Sequence, residues 1–168
     1  MTKYVLSIVV DNNPNVMARV SSMFARRRFN MTSVTAAQTS DPGVSIITIV
    51  TEGDAHILDQ AVKQTRKLQE VRSITILPRN ESLLSETIML RLPYDEKNIS
   101  LIKDIVEVYR AKIIDLTSSS MVVQLTGKPS KIDGFLEVMS PYHVLEMCRS
   151  GVIGMPRGSQ SDWWKNKA

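Results

Sequence analysis

LSIVVDNNPNVMARVSSMFARRRFNMTSVT, Leu6 to Thr35, is the stretch whose reading decides the fold. It opens with an apolar run of strand length, Leu6 to Val10, and breaks at Asp11-Asn12-Asn13-Pro14-Asn15. Apolar residues then return at helical spacing in Val16, Val20, Met23 and Phe24. A strand therefore feeds a helix through a polar turn, with Asn13 expected as N-cap and Pro14 at the first helical position. A helix start offers unpaired N–H groups and partial positive charge, and asparagine amides both donate and accept hydrogen bonds. Such a turn can hold a small zwitterion. It can equally be a plain capped helix, and the residues alone leave both readings open.

Downstream, Thr32 to Thr39 and Val44 to Thr51 are β-rich and flank the turn residues Ser40-Asp41-Pro42-Gly43, which predicts a hairpin. Glu52-Gly53-Asp54 ends the second strand and caps a helix marked by Ile57, Leu58, Ala61, Val62 and Leu68; Ser73 to Leu77 follows as a short strand. The order β-α-β-β-α-β predicts a ferredoxin-like unit, two helices on one face of a four-stranded antiparallel sheet.

Pro78 to Ser85 is polar and punctuated, and then the pattern restarts. Thr87 to Leu92 reads as a strand, Asp95 to Tyr109 as a helix, and Lys112 to Thr117 with Ser120 to Thr126 as a tight hairpin. Ser130 is expected to cap a helix running through Met139, and Tyr142 to Cys148 to supply the last strand. The expected fold class is α+β, two ferredoxin-like βαββαβ modules at 1–78 and 86–158, joined by a linker at 79–85. Gly151 to Ala168, with Gly154, Pro156 and Gly158, reads as a tail, and 159–168, carrying Trp163 and Trp164, is set apart from the module.

At 168 residues, 43% hydrophobic and 23% charged, the chain can bury ordinary globular cores without staples. The single cysteine, Cys148, excludes an internal disulfide framework, and no apolar run approaches the roughly 20 residues of a membrane helix. No secretory signal precedes the first strand, so a cytoplasmic protein with no membrane partner is expected. The net charge of +4 raises the question of nucleic acid. Arg26, Arg27 and Arg28 close the first helix, where cations suit its negative end, and Lys63, Arg66 and Lys67 share a face of a later one. Solvated helix faces explain both groups, no aromatic residues interleave with them for base stacking, and no nucleic-acid partner is expected.

Groups for catalysis are sparse. His56 and His143 stand at no metal-ligand spacing, and Cys148 lies in a strand beside Arg149 alone. There is no glycine-rich phosphate loop and no nucleophile elbow. Asp11 to Asn15 contains no glycine, and Arg19 lies a turn inside the helix, which disfavours a small ferredoxin-like hydrolase. No catalytic residue and no metal ligand is therefore expected.

Several segments together resemble the small regulatory subunits of acetolactate synthase, also called acetohydroxyacid synthase. They are the opening strand-turn-helix through Phe29-Asn30-Met31-Thr32-Ser33-Val34-Thr35, the turn Thr39-Ser40-Asp41-Pro42, Lys63 to Leu68, Glu86-Thr87-Ile88-Met89-Leu90, Ile113 to Thr117, Val123 to Gly127, and above all Arg149-Ser150-Gly151-Val152-Ile153-Gly154-Met155-Pro156-Arg157-Gly158. The resemblance implies an N-terminal ACT domain and a C-terminal ferredoxin-like domain. It implies a non-catalytic subunit that activates a large subunit and in many cases confers feedback inhibition by valine on branched-chain amino-acid synthesis. No cofactor is expected in this chain; thiamine diphosphate, Mg and FAD belong to the catalytic partner.

In the family, two ACT domains pair through sheet edges into a homodimer. The amino acid sits between one subunit's first turn and the start of the other's second strand. By position this implicates Asn12, Asn15 and Val16 on one side and Asn30 with Met31 on the other. Asn15 and Arg28 stand where the family usually has glycine. The alternative is a stand-alone amino-acid-sensing ACT protein that regulates transcription or another enzyme; as a transcription regulator it would need a helix-turn-helix, and no segment is left over for one.

Overall fold

The computed structural model describes residues 2–158. The chain divides into two units: the first runs to Leu83 and takes the chain back from Val152, and the second spans Leu84 to Gly151.

In the first unit, β1 (Thr2–Asp11), α1 (Val16–Arg26), β2 (Asn30–Gln38), β3 (Val44–Gly53), α2 (Ala55–Thr65) and β4 (Val71–Ile76) form an antiparallel sheet of order β2-β3-β1-β4 carrying two helices. β1 and β3 pair without interruption from Thr2 opposite Gly53 to Asp11 opposite Val44. Strand side chains alternate between faces, so Leu6, Ile8 and Val10 with Ile47 and Ile49 present one apolar surface. Against it pack Val16, Val20, Met23 and Phe24 of α1 and Ala61 of α2. Helical spacing of three and four puts the α1 residues on one stripe, and burial of each large side chain contributes about 1.5–3 kcal/mol. Phe24 is wholly enclosed, so its truncation to alanine costs about 3–5 kcal/mol.

The second unit repeats the plan with most of β5 (Ser82–Pro93), then α3 (Ile99–Tyr109), β6 (Lys112–Leu116), β7 (Ser120–Gly127), α4 (Pro129–Met139), a 3₁₀ turn (Ser140–Tyr142) and β8 (Glu146–Arg149), in sheet order β6-β7-β5-β8. Its core is Ile88, Leu90, Leu92, Met121, Val123 and Leu125 under Ile102 and Val106 of α3 and Ile132, Phe135 and Met139 of α4. The fold is thus α+β with two βαββαβ modules of equivalent strand order. A further strand, β9 (Ile153–Pro156), pairs with β5.

The repetition reaches single residues. After α1, Phe29 N donates to Phe24 O and Arg28 N to Ala25 O, with Arg28 left-handed at φ 56°; after α3, Ala111 N donates to Val106 O and Arg110 N to Glu107 O, with Arg110 at φ 54°. Both are Schellman endings, and in the first the accompanying apolar contact is an edge-on pair of Phe24 and Phe29 rings, centroids 5.7 Å apart. The strand that follows begins two residues after each arginine, at Asn30 and Lys112. Each then shifts register two residues later, at Thr32 and Ile114.

Several boundaries differ from the sequence reading. α1 starts at Val16 with Asn15 as N-cap, because Asn13 O accepts Val16 N at 3.2 Å and closes a turn through Pro14 first. α3 starts at Ile99, since Asp95 takes the Lys97 N–H and the Asn98 amide in a turn of its own. Lys128, not Ser130, caps α4, with Pro129 pre-setting φ at the first helical position. β5 already begins at Ser82, inside the expected linker. The last strand of the second module is confined to Glu146–Arg149, because Tyr142 belongs to the 3₁₀ turn and His143 is left-handed at φ 54°. The segment from Gly151, read as tail, contains β9. Residues 159–168, with Trp163 and Trp164, lie outside the described residues.

Candidate functional site

The polar turn after β1 is held from three sides. Asn12 N donates to Gly43 O at 2.9 Å, its side-chain Nδ2 donates to Pro42 O at 2.9 Å, and its Oδ1 accepts from Ser45 Oγ at 3.0 Å, which locks the turn to the β2–β3 hairpin. Asp11 N donates to Glu70 O at 2.8 Å, while Arg72 Nε on β4 donates to Asp11 Oδ1 at 2.6 Å. Arg19, one turn into α1, pairs with Glu70. The start of α1 is therefore rigidly placed at one end of the sheet.

Asn15 caps that helix with its backbone only. Its side chain makes no capping hydrogen bond and is exposed, so donors of the first turn are left for something else. Its backbone sits at φ −102°, ψ 1°, outside the left-handed region, so the turn holds asparagine without backbone strain. Val16 is buried in the core of its own chain. Asn30 is exposed at the start of β2 and its carbonyl accepts from Thr51 Oγ1 at 2.7 Å; Met31 is half-buried and packs on the core from its edge.

The five residues do not meet within one chain. Asp11 lies opposite Val44 at the start of β3, whereas Asn30 lies opposite Glu52 at its other end. The group Asn12, Asn15, Val16 and the pair Asn30, Met31 therefore occupy opposite ends of the same sheet. They are linked by β2, whose one hydrogen-bonded strand neighbour among the described residues is β3. None of the five lines the open cleft of about 460 Å³ between Thr75–Pro78 and Pro156–Arg157.

Sequence reasoning missed the residues that hold the opposite face of β2. Val152 is buried, its N–H donates to Ser33 Oγ at 3.2 Å, and its carbonyl accepts from Thr35 Oγ1 at 2.5 Å. The alternation of Ser33 and Thr35 was a readable signal of one polar face, but its partner lies 117 residues away from Thr35. His56, His143 and Cys148 are all exposed, and among the described residues no group of three or more His, Cys, Asp or Glu side chains could hold a metal ion.

Comparison with known proteins covers both modules. A family model of the AHAS small subunit-like ACT domain matches residues 6–73, and one of the small subunit of acetolactate synthase matches residues 85–158. The chain is 34% identical to the acetolactate synthase small subunit of Buchnera aphidicola subsp. Schizaphis graminum, over 92% of this chain and 98% of that protein. It is also 34% identical to the acetolactate synthase isozyme 3 small subunit of Escherichia coli, over 93% and 96% respectively. The crystal structure of the acetolactate synthase small subunit from Thermotoga maritima superposes with a TM-score of 0.85 at 31% identity, covering 95% of this chain and 99% of that one.

Proposed function

Because the chain belongs to the family of acetolactate synthase small subunits, we propose that it is a non-catalytic regulatory subunit. It binds and activates a thiamine-diphosphate-dependent large subunit and carries feedback by a branched-chain amino acid, valine in the first instance. The observation that supports the effector site is the placement of its two halves at opposite ends of one strand. An antiparallel β2–β2 pairing of two copies about a twofold axis sets the Asn30 end of one strand beside the Gln38 end of the other. Gln38 lies opposite Ser45, the residue that holds Asn12. Each copy thus offers Asn30 and Met31 to the first turn of its partner.

In that seam the valine carboxylate takes the open N–H donors at the start of α1, its ammonium takes amide and carbonyl oxygens of Asn15 and Asn30, and its isopropyl group lies against Met31. Val16 shapes the wall from within the core, and Asn12 keeps the turn in place. The test is a mixing assay with the large subunit: its rate alone, with this chain, and with this chain plus valine. Stimulation on mixing and its reversal by valine are expected; an unchanged rate on mixing rejects activation, and stimulation indifferent to valine, leucine and isoleucine rejects the effector role.

A further inference from the structure

α1 closes with Arg26 and is followed by Arg27 and Arg28, and Lys63 in the last turn of α2 is followed by Arg66 and Lys67; all six side chains are exposed. Each triplet by itself suits the negative end of its own helix. The fold merges them. α1 and α2 are packed neighbours, and Arg27 Nη2 donates to Gln64 Oε1 at 2.8 Å, seating the end of one helix against the last turn of the other. Gln64 sits between Lys63 and Arg66 in sequence, so the Arg27 contact brings the two basic stretches together where α1 meets the last turn of α2. Asp59 pairs with Lys63 at 2.6 Å, and Glu70, three residues beyond Lys67, is taken by Arg19 of α1 in a pair that adds no net charge. Six cations against Asp59 leave +5, whereas the whole chain nets +4, so everything else sums to −1.

We propose that this cationic face of α1 and α2 is the surface through which the chain docks on an acidic patch of the large subunit; the inference rests on the regulatory reading above. A second copy of the chain is excluded as occupant by like charge. Nucleic acid is disfavoured because Phe29, the aromatic residue that follows Arg28, is packed on Phe24 and the core rather than offered to bases. Pairing through the β2 edge leaves the outer side of the helix layer uncovered, so docking and dimerisation do not compete. α1, about 16 Å long, then carries the candidate effector turn at its start and docking cations at its end.

The experiment compares the wild-type chain, the triple variant Lys63→Glu/Arg66→Glu/Lys67→Glu, and a control, Lys97→Glu/Lys103→Glu/Lys112→Glu, which reverses three exposed cations of the second unit. Each is folded by circular dichroism, and association with the large subunit is followed at 50 and 300 mM salt. The wild-type on-rate is expected to fall with salt, the first variant to associate at least about tenfold more slowly at low salt with a flattened salt dependence, and the control to stay within about twofold. Wild-type kinetics from the first variant, or an equal loss in the control, overturns the docking face while leaving the regulatory reading intact. Failure of the wild-type chain to associate at all sinks that reading instead. Loss of binding to a duplex DNA probe with unchanged association to the large subunit reassigns the face to nucleic acid.

Discussion

Arg149 Nε donates to Glu86 Oε2 at 2.8 Å, and Nη2 of the same guanidinium reaches Glu86 Oε1 and, at 3.0 Å, Asp133 Oδ1. The bidentate pair joins β8 to β5, and the third contact joins both to α4. The Glu86 side chain is only 1% exposed while that of Arg149 is 34% exposed, so the carboxylate depends on this one guanidinium. The Glu86 hydrogen bond raises the Arg149 pKa above the usual arginine value, burial opposing it and Asp133 adding to it. A group raised in this way contributes stability that is complete below its unfolded pKa and lost only in strong alkali, so the Arg149 contribution does not change across physiological pH. Arg149→Met strands a buried carboxylate and is expected to cost about 3 kcal/mol in urea unfolding, the lower end of the range because the guanidinium is partly wet. Glu86→Gln in the same chain is expected to recover much of it; a cost below about 1 kcal/mol for Arg149→Met rejects the dependence.

Arg28 and Arg110 both hold left-handed backbone where glycine carries no steric penalty. Arg28→Gly and Arg110→Gly are each expected to raise stability by about 0.5–1 kcal/mol, additively because they lie in separate units. Thermal unfolding of the single and double variants reads this directly, and a lowered melting temperature for both rejects it. Arg28→Gly is further expected to slow association with the large subunit, because it removes one docking cation, whereas Arg110→Gly leaves association unchanged.

Ser33 and Thr35 hold both main-chain groups of Val152. Ser33→Ala with Thr35→Val removes two hydrogen bonds to a buried backbone, and a loss of about 1–3 kcal/mol is expected. Amide hydrogen exchange at Val152 should accelerate strongly while Ile47 and Ile49 in the core of β3 change far less. Unchanged protection at Val152 shows that its burial holds it without the hydroxyls.

Asn15 and Asn30 are exposed, and among the described residues neither side chain makes a hydrogen bond. Replacing either by alanine is expected to change stability by less than about 0.5 kcal/mol, because Asn15 provides no side-chain cap to lose. Calorimetry with valine should show weakened binding for Asn30→Ala, about tenfold for a lost hydrogen bond to a charged group. Affinity equal to wild type moves the site elsewhere.

Leu6 to Thr35 was enough to read a strand, a turn and a helix, because the apolar periods of two and 3.6 record which side chains leave water. The same periods after Ser85 showed a second module, although the two share little sequence, since cores tolerate any apolar residue of suitable size. Glu52-Gly53-Asp54 was read as ending a strand and capping a helix, and within it the Asp54 side chain does accept Ile57 N at 2.8 Å. Termini were less legible: Asn13, Asp95 and Ser130 lost the starts of α1, α3 and α4 to competing turns and to Pro129, differences of local hydrogen bonding that composition does not encode. The Arg149 to Gly158 segment, the most specific part of the resemblance, was read in part as tail because Gly154 and Pro156 resemble turn residues; the Ser33 and Thr35 hydroxyls that hold Val152 lie far away in sequence.

The chain order by itself determined the elements, their repetition and the family, for these depend on local spacing and composition. Only the tertiary structure decided that Asn30 and Asn15 stand at opposite ends of one sheet and that two separately unremarkable basic stretches form a single +5 face. Strand register and helix packing bring together residues that no local pattern connects, and electrostatic fields add by distance in space rather than along the chain.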